Sequence, residues 1–205
     1  MASLLSYALT TVADVKESLG IASSVTKYDN LITRKINQAT LAIENYCQRR
    51  FKSTTYTDEV YNPTQVDQLV LRQRPVTNFA SLSIRDSGLN YDTWETIDSQ
   101  LYFLDSSAGI LDLMFNARGR WMRYKVTYTA GYTTIPEDLA EACASLAAYY
   151  FNNADGTDVG VQEKQEGARR LRYANSTLTF KDICKNLGID EILDAYANNP
   201  LTTDR

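Results

Sequence analysis

Histidine is absent from this chain of 205 residues. It is the side chain whose ordinary pKa lies between pH 5 and 8, and it is the commonest metal ligand in proteins. Its absence excludes Ser-His-Asp and Cys-His catalytic schemes and zinc sites of the HExxH type. Chemistry by carboxylates or lysines stays open, so the sequence lowers the expectation of an enzyme without removing it.

Cysteine is scarce and dispersed, and the chain has no CxxC pair. Cys47, Cys143 and Cys184 lie far apart, each within a helix-like pattern. An odd, scattered set predicts buried free thiols in a reducing compartment. A disulfide or a reactive thiol is the alternative.

Long apolar runs and nucleotide-binding motifs are also missing. No stretch approaches the roughly 20 apolar residues of a membrane span, so no membrane contact is expected. The N-terminal sequence has no basic region before its apolar patch, which predicts mature protein and not a signal peptide. The chain has no GxxxxGK[ST], GxGxxG or GxSxG motif. We therefore expect no catalytic residues, no metal and no cofactor.

The charge balance is acidic, with 21 Lys and Arg against 25 Asp and Glu. Proteins that grip nucleic acid usually carry a basic balance or stripe. The basic clusters here are short, at Arg49-Arg50, residues 118–123 and residues 169–172. We interpret them as solvated faces or subunit-interface pairs.

Helical periodicity dominates the N-terminal part. A first helix is predicted from Val12 to Leu19, with Thr11 as its N-cap and Gly20 as its stop. A longer second helix is predicted to be capped by Asp29 and to end near residues 50–51. Its apolar residues recur every three or four positions, at Ile32, Ile36, Ala39, Ile43 and Cys47.

In the middle of the chain the periodicity changes from 3.6 to 2, which predicts strands separated by turns. Most of the tyrosines and both tryptophans belong to this part or border it. They are explained either as half-buried residues of a sheet or as protein–protein contacts. The predicted strands are Tyr56–Tyr61, Gln68–Arg72, Ala80–Arg85, Trp94–Ile97, Leu101–Leu104, Ile110–Phe115 and Trp121–Thr129.

A third helix is predicted to begin at Pro136, with Glu137 and Asp138 at its positive end. Small side chains along one flank permit close helix–helix approach, either in the core of the chain or between subunits. The core stripe is Leu139, Cys143, Leu146 and Tyr150, and the flank is Ala140, Ala144, Ala147 and Ala148.

The fold class predicted is α+β, with a bundle of about four helices and a β-rich insertion between the second and third long helices. The segments are the N-terminal core helices (1–53), the β-rich region (54–130), a core helix (131–152), a flexible loop and arm (153–178), and a C-terminal helical segment with a tail (179–205). The loop is polar and glycine-punctuated. The last helical region is expected to break near Gly188.

Five blocks of sequence carry a family resemblance. They are LTTVADVKESLGI, DNLITRKINQATLAIENYCQRRF, VLRQRPVTNFASL, VTYTAGYTTIPEDLAEACASLAAYYFN and GIDEILDAYANN, in this order. Together they resemble the head–tail connector (adaptor, or head-completion) proteins of long-tailed bacteriophages. The β-rich middle is longer than in the smallest members of that family, and the arm after the third helix matches only loosely.

The resemblance implies a structural virion protein at the head–tail interface, made in the host cytoplasm. Family members form a ring, of twelve copies in the virion, below the portal protein. The ring extends the DNA channel towards a stopper or other neck or tail protein. Genomic DNA would pass through it without specific binding.

The resemblance also implies where partners bind. The C-terminal segment would dock onto the portal, and loops at the opposite end would receive the next neck protein. The expected portal contacts are Tyr196, Pro200, Leu201 and Arg205. The expected contacts of the neck-partner loop are Asp155, Asp158, Glu163 and Lys164. The expected subunit contacts are Ala140, Ala144, Ala147, Arg49 and Arg50.

Other functions predict different observations. A virion or host-recognition module would use the β-rich aromatic region and show an exposed aromatic groove on a monomer or trimer. An enzyme working through carboxylates or lysines would need a concave pocket with shifted pKa values. A primary DNA-binding protein would show a strongly salt-dependent affinity for duplex DNA.

Overall fold

A computed structural model describes residues 2–62, 68–85, 93–114, 123–153, 163–166, 169–172 and 179–197. These residues form a mixed α/β protein with five α-helices and antiparallel sheets. The chain divides into two compact units. A helical unit comprises Met1–Gln48 with Pro136–Asn198, and a β unit centres on Arg49–Ile135.

The helical unit buries one apolar face of each main helix. The second helix packs against the third, the first packs against both, and the two C-terminal helices close the group. Ile32, Ile36 and Ile43 are fully buried, as are Leu139 and Leu146 of the facing helix. The helices are α1 (Val12–Ser18), α2 (Asp29–Cys47), α3 (Glu137–Asn152), α4 (Phe180–Leu187) and α5 (Asp190–Tyr196).

The helix boundaries follow their capping chemistry. Thr11 and Asp14 form the expected capping box of α1. Thr179 and Asp182 form a second box at α4, which ends where Gly188 adopts φ +68°. The expected break near Gly188 is confirmed, since it separates α4 from α5.

Two expectations at α2 are wrong. The helix ends at Cys47, before residues 50–51, because Gln48 is in the left-handed conformation at φ 53°. Asp29 is its first residue and not its cap. The Asp29 carboxylate instead pairs with Lys16 of α1, with Nζ and Oδ1 2.6 Å apart. Because Lys16 is buried, this ion pair offsets the cost of removing its charge from water.

The β unit is built from two antiparallel sheets that share one core. The four-stranded sheet has the order β1-β7-β3-β4, and the three-stranded sheet has the order β2-β6-β5. The core takes Leu82, Val126 and Tyr128 from the first sheet and Leu69 and Leu111 from the second. The strands are β1 (Thr54–Tyr61), β2 (Gln68–Val70), β3 (Val76–Arg85), β4 (Glu95–Thr96), β5 (Tyr102–Asp105), β6 (Ile110–Leu113) and β7 (Arg123–Ala130).

All seven predicted strands are present, although their bounds shift by several residues. The segment after α3, expected to be a loop and arm, is described only at residues 163–166 and 169–172. An antiparallel hairpin of β8 (Glu163–Glu166) and β9 (Arg169–Arg172) lies there. Its register sets Glu163 opposite Arg172 and Glu166 opposite Arg169.

The first strand contains a bulge that matters for its side chains. The register of β1 against β7 shifts between Tyr56 and Glu59, and Asp58 adopts φ 56°. A bulge inverts the alternation of side chains along a strand. Glu59 and Tyr61 therefore lie on the core side, as Tyr56 does.

Candidate assembly surfaces

The C-terminal helix α5 is fixed to the helical unit by tyrosine–carboxylate hydrogen bonds. The Tyr196 hydroxyl donates to both carboxylate oxygens of Asp138 in the first turn of α3, at 3.0 and 3.1 Å. The Tyr46 hydroxyl of α2 donates to Asp194. This bond, together with burial, raises the pKa of Tyr46 to about 12. Leu193, which precedes Asp194 in α5, is fully buried.

Of the four expected portal contacts, only Tyr196 lies within the described residues. Tyr196 lies half-buried at the end of α5 and is hydrogen-bonded within the helical unit. Pro200, Leu201 and Arg205 lie outside the described residues. Because α5 is anchored at Tyr196, the segment that begins at residue 198 departs from a fixed point.

The expected neck-partner loop is only partly described. Asp155 and Asp158 lie outside the described residues, while Glu163 and Lys164 belong to strand β8. The role of these four residues as a partner contact stays a prediction.

The expected subunit contacts separate into buried and exposed residues. Ala144 and Ala147 are 0% exposed, so in this chain they pack inside the helical unit. Ala140 is half-buried and Arg50 is exposed. These two remain available for the predicted subunit contact.

Arg49 is a buried component of the β unit. Its guanidinium lies 5.0 Å from the ring centroid of Phe51 and 5.9 Å from that of Tyr132. One of its terminal nitrogens, Nη2, donates to the carbonyl oxygen of Arg74. These contacts explain why an arginine is tolerated at 6% exposure.

A hydrogen-bonded cluster around Glu59 ties the strands of the β unit together. Its carboxylate accepts from the hydroxyls of Tyr61 at 2.6 Å and Tyr128 at 2.7 Å, and from the Arg72 guanidinium at 2.8 Å. Burial alone would raise the pKa of Glu59, but these three bonds outweigh it and hold the pKa below its ordinary value. Burial and the bond to Glu59 raise the pKa of Tyr61.

This cluster ties strands together. Its hydrogen bonds join Glu59 and Tyr61 of β1, Tyr128 of β7 and Arg72, which follows β2. The bulge at Asp58, which local sequence patterns do not reveal, turns Glu59 inward.

The outer face of the three-stranded sheet is apolar and exposed. Phe103 is 59% exposed, Leu101 44% and Val70 43%. Met114, which follows β6, is 67% exposed, and its N–H donates to the carbonyl of Leu101 at 2.9 Å. Such large side chains gathered on one sheet face indicate a contact surface. We call this surface the β2-β6-β5 outer face.

Carboxylates accompany these apolar side chains. Asp112 lies opposite Phe103 in the register of β6 with β5, and Asp105 ends β5. The described residues of strands β2, β5 and β6 include no lysine or arginine. The β2-β6-β5 outer face is therefore apolar and acidic.

The outer face of the four-stranded sheet has the opposite charge. Arg85 of β3 lies directly opposite Arg123 of β7. Lys125, two residues after Arg123 in β7, lies on the same side of the sheet. Trp94 stands beside them, with Lys125 Nζ 5.2 Å and the Arg85 guanidinium 5.9 Å from its ring. Asp58, largely exposed, pairs with Lys125 at 3.3 Å. We call this surface the β3-β7 outer face.

Metal ligands and thiols are the remaining side-chain chemistry of the described part of the chain. No group of three or more His, Cys, Asp or Glu residues there could hold a metal ion. The expected buried free thiols are confirmed for Cys47, Cys143 and Cys184. Burial raises the pKa of Cys143 to about 12 and that of Cys184 to about 11. These thiols are therefore poor nucleophiles at neutral pH.

Within the described ranges, no helix has both the length and the apolar character that crossing a membrane requires.

Comparison with known proteins gives one family match. The model of the head completion protein family matches residues 8–162, well over half of the chain. No curated protein matches the chain in sequence.

Solved structures share the fold. A chain in the neck of an empty gene transfer agent (GTA) particle, computed with C6 symmetry, matches with a TM-score of 0.53 at 16% identity, over 91% of this chain and 92% of that chain. A chain in the neck of the native GTA particle, computed with C12 symmetry, matches with a TM-score of 0.52 at 18% identity over the same shares. The native GTA virion gives 0.53 at 16% identity, again over 91% and 92%.

Proposed function

The chain belongs to the head completion protein family, and from this premise we propose that it acts as a ring-forming adaptor between capsid and tail. A head completion protein is a structural component of the virion neck, at the head–tail interface, and this is the role and location of the chain. The family match over residues 8–162 is the observation that carries the proposal.

The ring is the first specific part of the proposal. The GTA necks that share this fold were computed with six-fold and twelve-fold symmetry. Head-to-tail contacts between identical copies generate a closed ring when their rotation closes. We infer a ring of twelve copies in the virion, below the portal protein, through which genomic DNA passes without specific binding.

The partners form the second part. The segment from residue 198 onward follows the anchored helix α5, so it is suited to reach a neighbouring protein from a fixed base. We infer that Pro200, Leu201 and Arg205 contact the portal, with Tyr196 as the anchor. Asp155, Asp158, Glu163 and Lys164 are inferred to meet a stopper or another neck protein on the other side.

The proposed role is not enzymatic. The Glu59 carboxylate accepts hydrogen bonds from Tyr61 and Tyr128 inside the β unit, and the three thiols are buried. The exposed apolar face of the β unit is better suited to protein contact than to catalysis.

Light scattering and native mass spectrometry test the ring. The mass of the chain is measured alone and after mixing with the portal protein of the same particle. A ring in either condition is expected. A monomer that ignores the portal would contradict the adaptor and favour a separate binding module.

A further inference from the structure

The β unit carries two surfaces of opposite character on opposite sides. Its two sheets pack their inner faces into one core. The β2-β6-β5 outer face and the β3-β7 outer face therefore point away from each other. One is apolar and acidic, and the other is basic, with the half-buried Trp94 beside its cationic side chains.

The basic surface carries a repulsion that the described residues do not neutralise. Arg85 and Arg123 are directly opposed across β3 and β7, and like charges at such positions destabilise a sheet. Lys125 adds a third positive charge, and the only ion pair that the described residues show among the three is the one to Asp58. An anionic partner would remove this repulsion.

The β2-β6-β5 outer face leaves large apolar side chains exposed next to a carboxylate. Phe103 and Met114 are more than half exposed, and Asp112 lies beside Phe103 across the strands. Covering the apolar side chains would be favourable by roughly 25 cal/mol for each Å² buried. A partner that covers them would also place positive charge beside Asp112.

We propose that the β2-β6-β5 outer face of one copy docks on the β3-β7 outer face of the next copy. This inference rests on the proposed ring and assigns one of its subunit contacts. Each copy offers both surfaces, so the contact is head-to-tail and repeats around the ring. Phe103 and Met114 meet the Trp94 region, and Asp112 meets Arg85 and Arg123.

Duplex DNA is the competing occupant of the basic surface. DNA would neutralise Arg85, Arg123 and Lys125 but would leave the exposed Phe103 and Met114 uncovered. A second copy accounts for both surfaces at once. The observations therefore favour the second copy.

The test is a charge reversal in the full-length chain under conditions where the wild type forms its ring. Asp112→Arg and Arg123→Glu each set like charges against the neighbouring copy, so each should raise the concentration for half-assembly at least about tenfold. In the double variant Asp112→Arg/Arg123→Glu, the reversed charges face each other in every contact. Assembly should return to within about threefold of the wild type.

A second pair of variants covers the case in which Asp112→Arg does not fold. Phe103→Arg and Phe103→Glu remove the same aromatic ring from a mostly exposed position. Only Phe103→Arg brings positive charge to the basic surface, so it should impair assembly more than Phe103→Glu. Thermal unfolding of each variant verifies that the monomer is intact.

The outcomes separate the inference from the proposed function. Single reversals that assemble like the wild type, or a double variant that stays unassembled, overturn the docking. Loss of salt-dependent duplex binding in Arg123→Glu with an intact ring assigns the basic surface to DNA and also overturns it. A wild type that never forms a ring, even with the portal, contradicts the proposed function itself.

Discussion

At the scale of single residues, Gly131 has the closest backbone neighbours among the four described glycines. It has φ +107°, and an added Cβ would lie 2.7 Å from the carbonyl oxygen of Phe51 and 2.9 Å from that of Lys52. Its N–H donates to the carbonyl of Pro75 at 2.9 Å. This glycine allows the chain after β7 to cross the segment before β1 at close range.

Gly131→Ala should therefore destabilise the protein strongly. The positive φ costs about 1–2 kcal/mol for an L-residue, and the clash with backbone adds about 1–3 kcal/mol. Urea unfolding measures the loss. Gly20→Ala is the matched control, because Gly20 has φ +67° and nothing within 4 Å of the added Cβ. Equal losses in the two variants would contradict the close approach at Gly131.

Glu59 is the second residue whose substitution should change the free energy of unfolding. Glu59→Gln replaces an acceptor of three hydrogen bonds by a group that is partly a donor, which should cost about 1–3 kcal/mol in the free energy of unfolding. Asp58→Asn is the neighbouring control. Its carboxylate is largely exposed and makes one surface ion pair, worth at most about 1 kcal/mol.

The cost of Glu59→Gln should depend on pH. The pKa of Glu59 is lowered in the folded state, so its ionised form stabilises the fold above the unfolded pKa of about 4.3. That contribution is lost as the pH falls through the folded pKa. The gap between wild type and Glu59→Gln should be constant above about pH 6 and close on acidification below about pH 4. A gap that widens in acid would show that the sign is wrong.

At the scale of elements, helix α5 depends on two hydroxyls. Tyr196→Phe and Tyr46→Phe each remove a hydrogen bond to a carboxylate, worth about 0.5–1.5 kcal/mol at a partly exposed site. Hydrogen exchange should become faster in residues 190–196 and stay unchanged in β3 and β7. Tyr28→Phe is the control, since its ring packs against Phe151 and its hydroxyl has no partner within the described residues. Unchanged exchange in α5 would contradict its anchoring by these bonds.

The elements themselves were largely predictable from the sequence. The 3.6 period of α2 and the capping box at Thr11 depend on near neighbours, so the pattern reports them directly. The strands of the β unit were predicted from the sequence, but its two outer faces were not. Val70, Phe103 and Met114 look like ordinary strand residues until the sheet order reveals which side the core covers.

Long-range contacts explain what the sequence missed. Asp29 reads as an N-cap, yet a lysine 13 positions earlier binds its carboxylate. In a regular strand Glu59 would lie on the side opposite Tyr56, yet a bulge turns it towards a tyrosine 69 positions later. Tyr196 is an expected portal contact, and its bond to Asp138 is not visible in the sequence. Each of these depends on tertiary structure that local patterns do not encode.

At the scale of the whole molecule, the C-terminal segment should matter for partners and not for folding. Deleting residues 198–205 leaves α5 and its bonds to α2 and α3 in place, so the free energy of unfolding should hardly change. Binding to the portal, measured by native mass spectrometry, should be lost. A truncated chain that still binds the portal would move the docking site to another part of the molecule.

Electron microscopy of particles assembled without this chain tests whether it joins head to tail. Unjoined heads and tails are expected, with joining restored when the wild-type chain is supplied. Complete particles in the absence of the chain would contradict it.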